Sequence, residues 1–443
     1  MRKSLIIVLA VVALAASACG NSTSGSSEGN NGGGANSGGS NPPGTVSNAD
    51  LQKNVPVDAP GVTDTEIHVG GVVSKTNPLG GEYDQAFKGV EAYFDYLNES
   101  GGIYGRKLKL TSKRDDQLVN NQAEVQALIS QDNVFAVLPV ANIATFAGAP
   151  LLTDAGIPTF GWNVNAEWTG PPNLFGEKGS YLCFTCPRAD LPYVAKQLNR
   201  TKLGVMAYGV QQSAECAKGI KASSEKYPVA KVAFEDTNVA FNLNPDFSVQ
   251  VAKMKDAGVD FVATCMDDNG VTSLAKEMKK QGLAAVQYLP NGYNYDLVNK
   301  FSDVFAGSIV LTGFAPFETE NPPAALSEYL RRIEKVGGKK GELSLAGWLD
   351  ADLFVRGLKA AGPEFSRQKV IDGINQMKDW DADGIIPGID WTIGHTADPD
   401  ELCFAFSKID SGKFVPQYGE PGKPFVCFDR NATALAEKPT IRA

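Results

Sequence analysis

Beyond residue 62 the apolar positions fall into short runs separated by longer amphipathic stretches. Residues 67–73 read as a strand. Between 83 and 100, Phe87, Val90, Phe94 and Leu97 recur at three- and four-residue spacing, the stripe of a helix with one buried face. Gly101-Gly102 ends that helix. Strands are predicted at 108–112, 134–138 and 159–161, with helices at 118–131 and 143–155 between them. The alternation restarts after residue 182, with helix 191–198, strand 203–208, helix 214–227, strand 232–234 and helix 247–257. Strand 261–264, helix 271–281 closed by Gly282, and strands 287–289 and 309–312 complete the round. Helices follow at 324–336, 345–361 and 369–377, then a strand-rich tail with runs at 402–408 and 425–428, and a frayed end at 431–443. Two rounds of this kind predict two Rossmann-like α/β lobes with parallel sheets joined by a hinge. Lobe one takes 62–183 with about 314–390, and lobe two takes 184–313 with about 391–430. Such sheets leave a cleft outside the carboxyl ends of their strands, with helix N-termini facing in.

Composition narrows the chemistry. The chain has 443 residues, 43% of them hydrophobic, and a formal charge of −9. Nothing basic clusters, so a nucleic-acid partner is not expected. Two histidines, His68 and His395, are too few for a histidine-rich metal site. Beyond residue 62 the sequence holds no Walker A loop, G-x-S-x-G elbow or H-E-x-x-H pair. No enzyme activity, metal or cofactor is expected.

The front end is an address and a tether. Arg2 and Lys3 precede an apolar run over 5–16, too short to span a bilayer, and Ala16-Ser17-Ala18-Cys19 closes it. This segment resembles the lipobox of bacterial lipoproteins. The resemblance implies removal of residues 1–18, lipidation of Cys19 and anchoring of the protein to the cell membrane. From Gly20 to Asn48 the chain is almost wholly Gly, Ser, Asn, Thr and Pro with one charge, Glu28. Residues 19–61 are read as the lipidated cysteine and a flexible linker with a reach of about 30 Å. Loss of Arg2 and Lys3 takes the charge from −9 to −11, so membrane attachment rests on the acyl chains.

Six cysteines remain in the body, and an even number in an exported chain favours disulfides. Cys403 and Cys427 sit on two strand-like runs joined by turn-rich sequence. Cys265 ends an apolar strand, and Cys216 lies at a helix start after the strand at 203–208. If those strands are neighbours, both sulfurs meet at one sheet edge. Cys183-Phe-Thr-Cys186 then pairs by default. A redox C-x-x-C normally opens a helix, whereas Pro187 follows here, so a structural bridge is the better reading.

The body carries a family resemblance. Val62-Thr-Asp-Thr-Glu-Ile-His-Val-Gly-Gly, Gly89-Val-Glu-Ala-Tyr-Phe and Asn98-Glu-Ser-Gly-Gly-Ile-Tyr-Gly-Arg-Lys-Leu carry it. So do Asp115-Asp116-Gln117, Asp154-Ala-Gly-Ile-Pro158 and the stretch 292–297. Together they resemble the type I solute-binding proteins of the leucine/isoleucine/valine-binding branch that feeds ABC importers, over roughly 62–430. The resemblance implies a Venus-flytrap fold, acting as a monomer, that closes on a small solute and presents it to membrane permease subunits.

It also implies where the ligand sits. In the first lobe three loops contribute: Thr76 and Tyr83 from 74–83; Asn142, Ala144 and Thr145 from 139–145; Trp162 and Asn163 from 161–165, with Trp168 a weaker candidate. In the second lobe Gln211 and Gln212, Asp267 and Asp268, and Asn291 and Tyr293 come from three further loops. The family's hydroxyl cluster for a substrate carboxylate is replaced here by Val140-Ala141-Asn142-Ile143-Ala144. Gly292 stands about where amino-acid binders place the acid that pairs with a substrate ammonium. The solute is therefore read as a branched-chain amino acid or a related polar compound such as an amide, urea or aromatic acid. A ligand sensor of the same fold is the alternative, and an exported thiol oxidoreductase through Cys183 and Cys186 a lesser one.

Overall fold

The computed structural model describes residues 51–443 apart from 79, 181, 242–244 and 291. The signal segment, Cys19, the linker to residue 50 and Asn291 lie outside the described residues. The first lobe begins with β1 (Glu66–Val73), α1 (Gln85–Glu99), β2 (Lys107–Asp115), α2 (Asn121–Ser130) and β3 (Ala136–Ala141). It continues through α3 (Ala149–Asp154), β4 (Thr159–Gly161) and β5 (Leu174–Gly176). Its five strands are all parallel, in the order β2-β1-β3-β4-β5. β3 is buried at every position, as a central strand covered on both faces must be.

The chain then crosses to the second lobe, which adds α4 (Asp190–Gln197), β6 (Lys202–Tyr208), α5 (Gln211–Lys226), β7 (Lys231–Val239), α6 (Ser248–Asp256) and β8 (Phe261–Cys265). After these come α7 (Asp268–Gln281), β9 (Val286–Leu289), α8 (Tyr295–Lys300), α9 (Ser302–Phe305) and β10 (Ile309–Thr312). A second crossing returns to lobe one for α10 (Ala324–Lys335), α11 (Glu342–Ala361) and α12 (Arg367–Ile374). A third leads to β11 (Glu401–Asp410), β12 (Lys413–Gln417), β13 (Phe425–Asp429) and β14 (Thr440–Arg442). The second sheet runs β14-β13-β11-β10-β9-β8-β6-β7, with β12 paired to β11. Strands β6 to β10 are parallel and the C-terminal additions antiparallel.

Two differences from the sequence reading concern local structure. The end at 431–443 is not frayed, because β14 pairs with β13 through Thr440↔Cys427 and Ile441↔Val426. The helix expected over 143–155 is confined to Ala149–Asp154. Phe146 is drawn into the core beside Trp168, at 5.1 Å between ring centroids, and the preceding residues form turns instead.

Lobe one is closed from above by α11, which lies directly on α1. A Cβ on Gly89 would stand 1.9 Å from the Ser344 carbonyl oxygen, and one on Gly347 1.9 Å from that of Ala86. Only glycine allows the two helix backbones this approach. The three expected disulfides are present. Cys183–Cys186 lies in the first crossing, Cys216–Cys265 ties α5 to β8, and Cys403–Cys427 joins directly opposed positions of β11 and β13.

Candidate functional site

The loops that leave the carboxyl ends of β1, β4 and β8 carry the residues that meet between the lobes. Tyr83, just before α1, lies 5.7 Å from the Trp162 ring, which follows β4 directly. Trp162 Nε1 donates to Glu342 Oε1 at 3.4 Å, and Lys178 Nζ donates to the same oxygen at 2.9 Å. Glu342 opens α11 and belongs to lobe one. Opposite stand Asp267 and Asp268 at the start of α7. Asp267 caps that helix by accepting from Gly270 N at 2.9 Å, and its Oδ1 also takes the Tyr208 hydroxyl at 2.6 Å. Asp268 Oδ2 accepts from Asn294 Nδ2 at 2.7 Å.

Electrostatics link these groups. The Tyr83 phenol is pushed well above its usual range by burial, then by the negative charges of Asp268, Asp267 and Glu342. Carboxylates of both lobes thus act on one ring. Burial pushes Asp268 up to about 6, against the Asn294 hydrogen bond, with Asp267 and Glu342 adding to the rise. In the first crossing, burial carries Glu177 to about 7, although Lys178 Nζ at 3.4 Å opposes it. Burial alone would depress the Lys178 ammonium, but Glu342 and Glu177 outweigh it and hold it charged. Asp350, fully enclosed behind them, is driven far up by burial and by the Glu177 charge.

The other expected site residues are placed differently. Thr76 is exposed, and its backbone N–H donates to Asp115 at 3.0 Å, which fastens the β1 loop to β2. Asn142 is fully buried; its amide donates to the Ala144 carbonyl at 2.7 Å, while Ile143 N donates to Ser74 Oγ at 3.1 Å. Ala144 therefore contributes an acceptor already engaged, and Thr145 is exposed. Asn163 is a clamp on the first crossing: its amide donates to the Gly179 carbonyl and its Oδ1 accepts from Lys178 N at 3.3 Å. Trp168 is core.

Gln211 is exposed on α5 and donates to Glu215 one turn on, because the helix starts two residues after Gly209 rather than at 214. Gln212 is partly buried in that first turn. Tyr293 does not line the cleft. It is buried in an aromatic cluster, stacked on Phe414 at 4.3 Å, with its hydroxyl donating to Glu318 Oε2 at 2.5 Å and accepting from Phe317 N at 2.7 Å. That cluster packs the second crossing. Of the expected set, Tyr83, Trp162, Asp267 and Asp268 come together. Glu342, Lys178, Glu177 and Asn294 join them without having been singled out in the sequence.

Two features surround this group. Lys339 Nζ lies 2.8 Å from Glu82 of lobe one and 2.9 Å from Asp296 of lobe two, an ion bridge between the lobes. Lys340 adds a contact over the Tyr295 ring at 4.4 Å. A cavity of about 300 Å³ is lined by all three crossings, through Glu177, Lys178, Gly313, Trp391 and Glu401 among others. Among the described residues no helix is long and apolar enough to cross a membrane.

Comparison with known proteins gives one consistent result. A sequence model described as periplasmic binding protein matches residues 66–413. A Leu/Ile/Val-binding protein homolog from Brucella suis biovar 1 is 24% identical over 307 residues, covering 67% of this chain and 79% of its own. Among solved structures, a branched-chain amino acid ABC transporter protein from Thermus thermophilus with bound valine superposes with a TM-score of 0.65 at 18% identity, covering 80% of this chain and 96% of that one. An ABC transporter solute-binding protein from R. palustris in complex with 4-hydroxybenzoate gives 0.63 at 18% identity, covering 82% and 97%.

Proposed function

The chain belongs to the periplasmic binding protein family, type I, of the leucine/isoleucine/valine-binding kind, and we propose that it is the lipid-anchored receptor of an ABC importer. Members of this family are extracytoplasmic solute-binding proteins rather than enzymes. In our reading the protein is held at the membrane through Cys19. It captures one small polar solute by closing its lobes and delivers it, as a monomer, to permease subunits. The observation that carries this reading is the convergence of Tyr83, Trp162 and Glu342 from one lobe with Asp267 and Asp268 from the other around a single space.

A solute that touches both lobes stabilises the closed state by its differential affinity, and the physical basis of capture is that difference. We place the lobe boundaries at the three crossings, at about 177–189, 313–323 and 391–400. The Cys183–Cys186 bridge in the first crossing supports a structural role over a redox one: Pro187 follows it, and α4 begins only at Asp190. A thermal-shift panel of amino acids, amides, amines and aromatic acids tests capture. A true ligand at one hundred times its dissociation constant adds about 2.7 kcal/mol of stability. A broad panel with no shift refutes the reading. Replacement of Cys19 by serine should move the protein from the membrane fraction to the soluble one, and retention in the membrane would refute the anchor.

A further inference from the structure

Resting on the capture reading, we infer that the solute is a small organic nitrogen cation, an alkylamine or amidinium, and not a free amino acid or an organic acid. Three observations at the cleft carry this.

First, the side-chain donors that touch the acids are already engaged on them. Lys178 is paired with Glu342 and Glu177. Trp162 Nε1 donates to Glu342, Asn294 to Asp268, and the Tyr208 hydroxyl to Asp267. In the loop where relatives would seat a carboxylate, the Asn142 amide is turned to Ala144 and Ile143 N to Ser74. α3 starts only at Ala149, so no helix N-terminus opens at that loop.

Second, acceptors are free. On these loops, Asn142 Oδ1, Asn165 Oδ1 and Asp267 Oδ2 are buried and accept no hydrogen bond among the described residues. Every one is an oxygen that calls for an N–H or O–H from outside the protein.

Third, the charges are mismatched across the cleft. Asp267 and Asp268 of lobe two act on the Tyr83 ring together with Glu342 of lobe one, and Lys178 is paired with Glu342. Closing the empty protein brings like charges together, whereas a cation between them turns that repulsion into attraction. Such a solute selects the closed form. The Tyr83–Trp162 wall suits the same ligand, since aromatic faces attract organic cations.

Calorimetry on the purified protein tests this with agmatine and putrescine against leucine, 4-hydroxybenzoate and acetamide. The cations should bind at least about 100-fold tighter than leucine or 4-hydroxybenzoate. Both Asp268→Asn and Glu342→Gln should weaken agmatine by about 10-fold or more while circular dichroism stays unchanged, the scale expected when a charge-assisted contact is lost. If a variant fails to fold, the unaltered protein supplies a second reading. Its affinity for agmatine should fall severalfold between low and high salt, as screened charge attraction requires. Tighter binding of leucine or 4-hydroxybenzoate overturns the cation assignment but leaves solute capture standing. Absence of binding by either amine at millimolar concentration, or salt-independent affinity, overturns it as well.

Discussion

Glu177→Gln isolates the cost of the buried acid in the first crossing. The carboxyl is held at about 7 against an ordinary 4.5, chiefly by burial. The folded state therefore keeps a proton that the unfolded chain gives up between those two values. Wherever the folded state binds more protons, stability falls as pH rises. The term is absent below about pH 4.5, grows through the window and is complete above about 7. At about 1.4 kcal/mol for each pH unit, the accumulated loss is about 3 kcal/mol. Glutamine keeps the shape and carries no titrating proton. Lys178, Glu342 and Asp350 surround the position, and Lys178 keeps its 2.9 Å partner Glu342 in the variant. The variant should thus be little changed at pH 4.5 and more stable than the parent at pH 8, with a melting-temperature gain of about 4 °C for a body of this size. Thermal melts of both proteins across that range read the difference directly. A difference that does not change with pH, or one that shrinks as pH rises, refutes the argument.

Other perturbations follow from the same structure. Gly347→Ala places a methyl 1.9 Å from the Ala86 carbonyl oxygen, so α11 must lift from α1 at a cost of about 1–3 kcal/mol or more; an unchanged melting temperature would contradict the close approach. Lys339→Ala removes the bridge between Glu82 and Asp296. Two exposed pairs at about 0.2–1 kcal/mol each predict a loss of solute affinity of about 2- to 30-fold by calorimetry at low salt. A loss equally large in high salt would show that the bridge is not what the substitution removed.

The alternation of strand and helix was legible because each period of apolar residues is local, and α7, closed by Gly282, and β8 fall close to where periodicity puts them. The disulfides were legible because a β11–β13 ladder and the β6–β8 pairing bring cysteines of known spacing together. Half of the cleft was less so. Tyr293 follows a strand just as Trp162 does, yet neighbouring Phe314, Phe317 and Phe414 claim it for the core. Glu342 meets Trp162 from 180 positions away, a distance over which no spacing rule carries information. Its local signal is only a carboxylate after Gly341 at a helix start, which reads as ordinary dipole pairing. Thr76 and Gln211 look like binding groups because they are polar and near strand ends, but Asp115 and Glu215 engage them first.

The central claim is that two lobes shut on a solute held by groups from both. Small-angle X-ray scattering of the purified protein, alone and with the solute that gives the largest thermal shift, tests it most directly. The account predicts a smaller radius of gyration with the solute present, and a weaker contraction for Lys339→Ala. A profile that stays the same at saturating solute would contradict it.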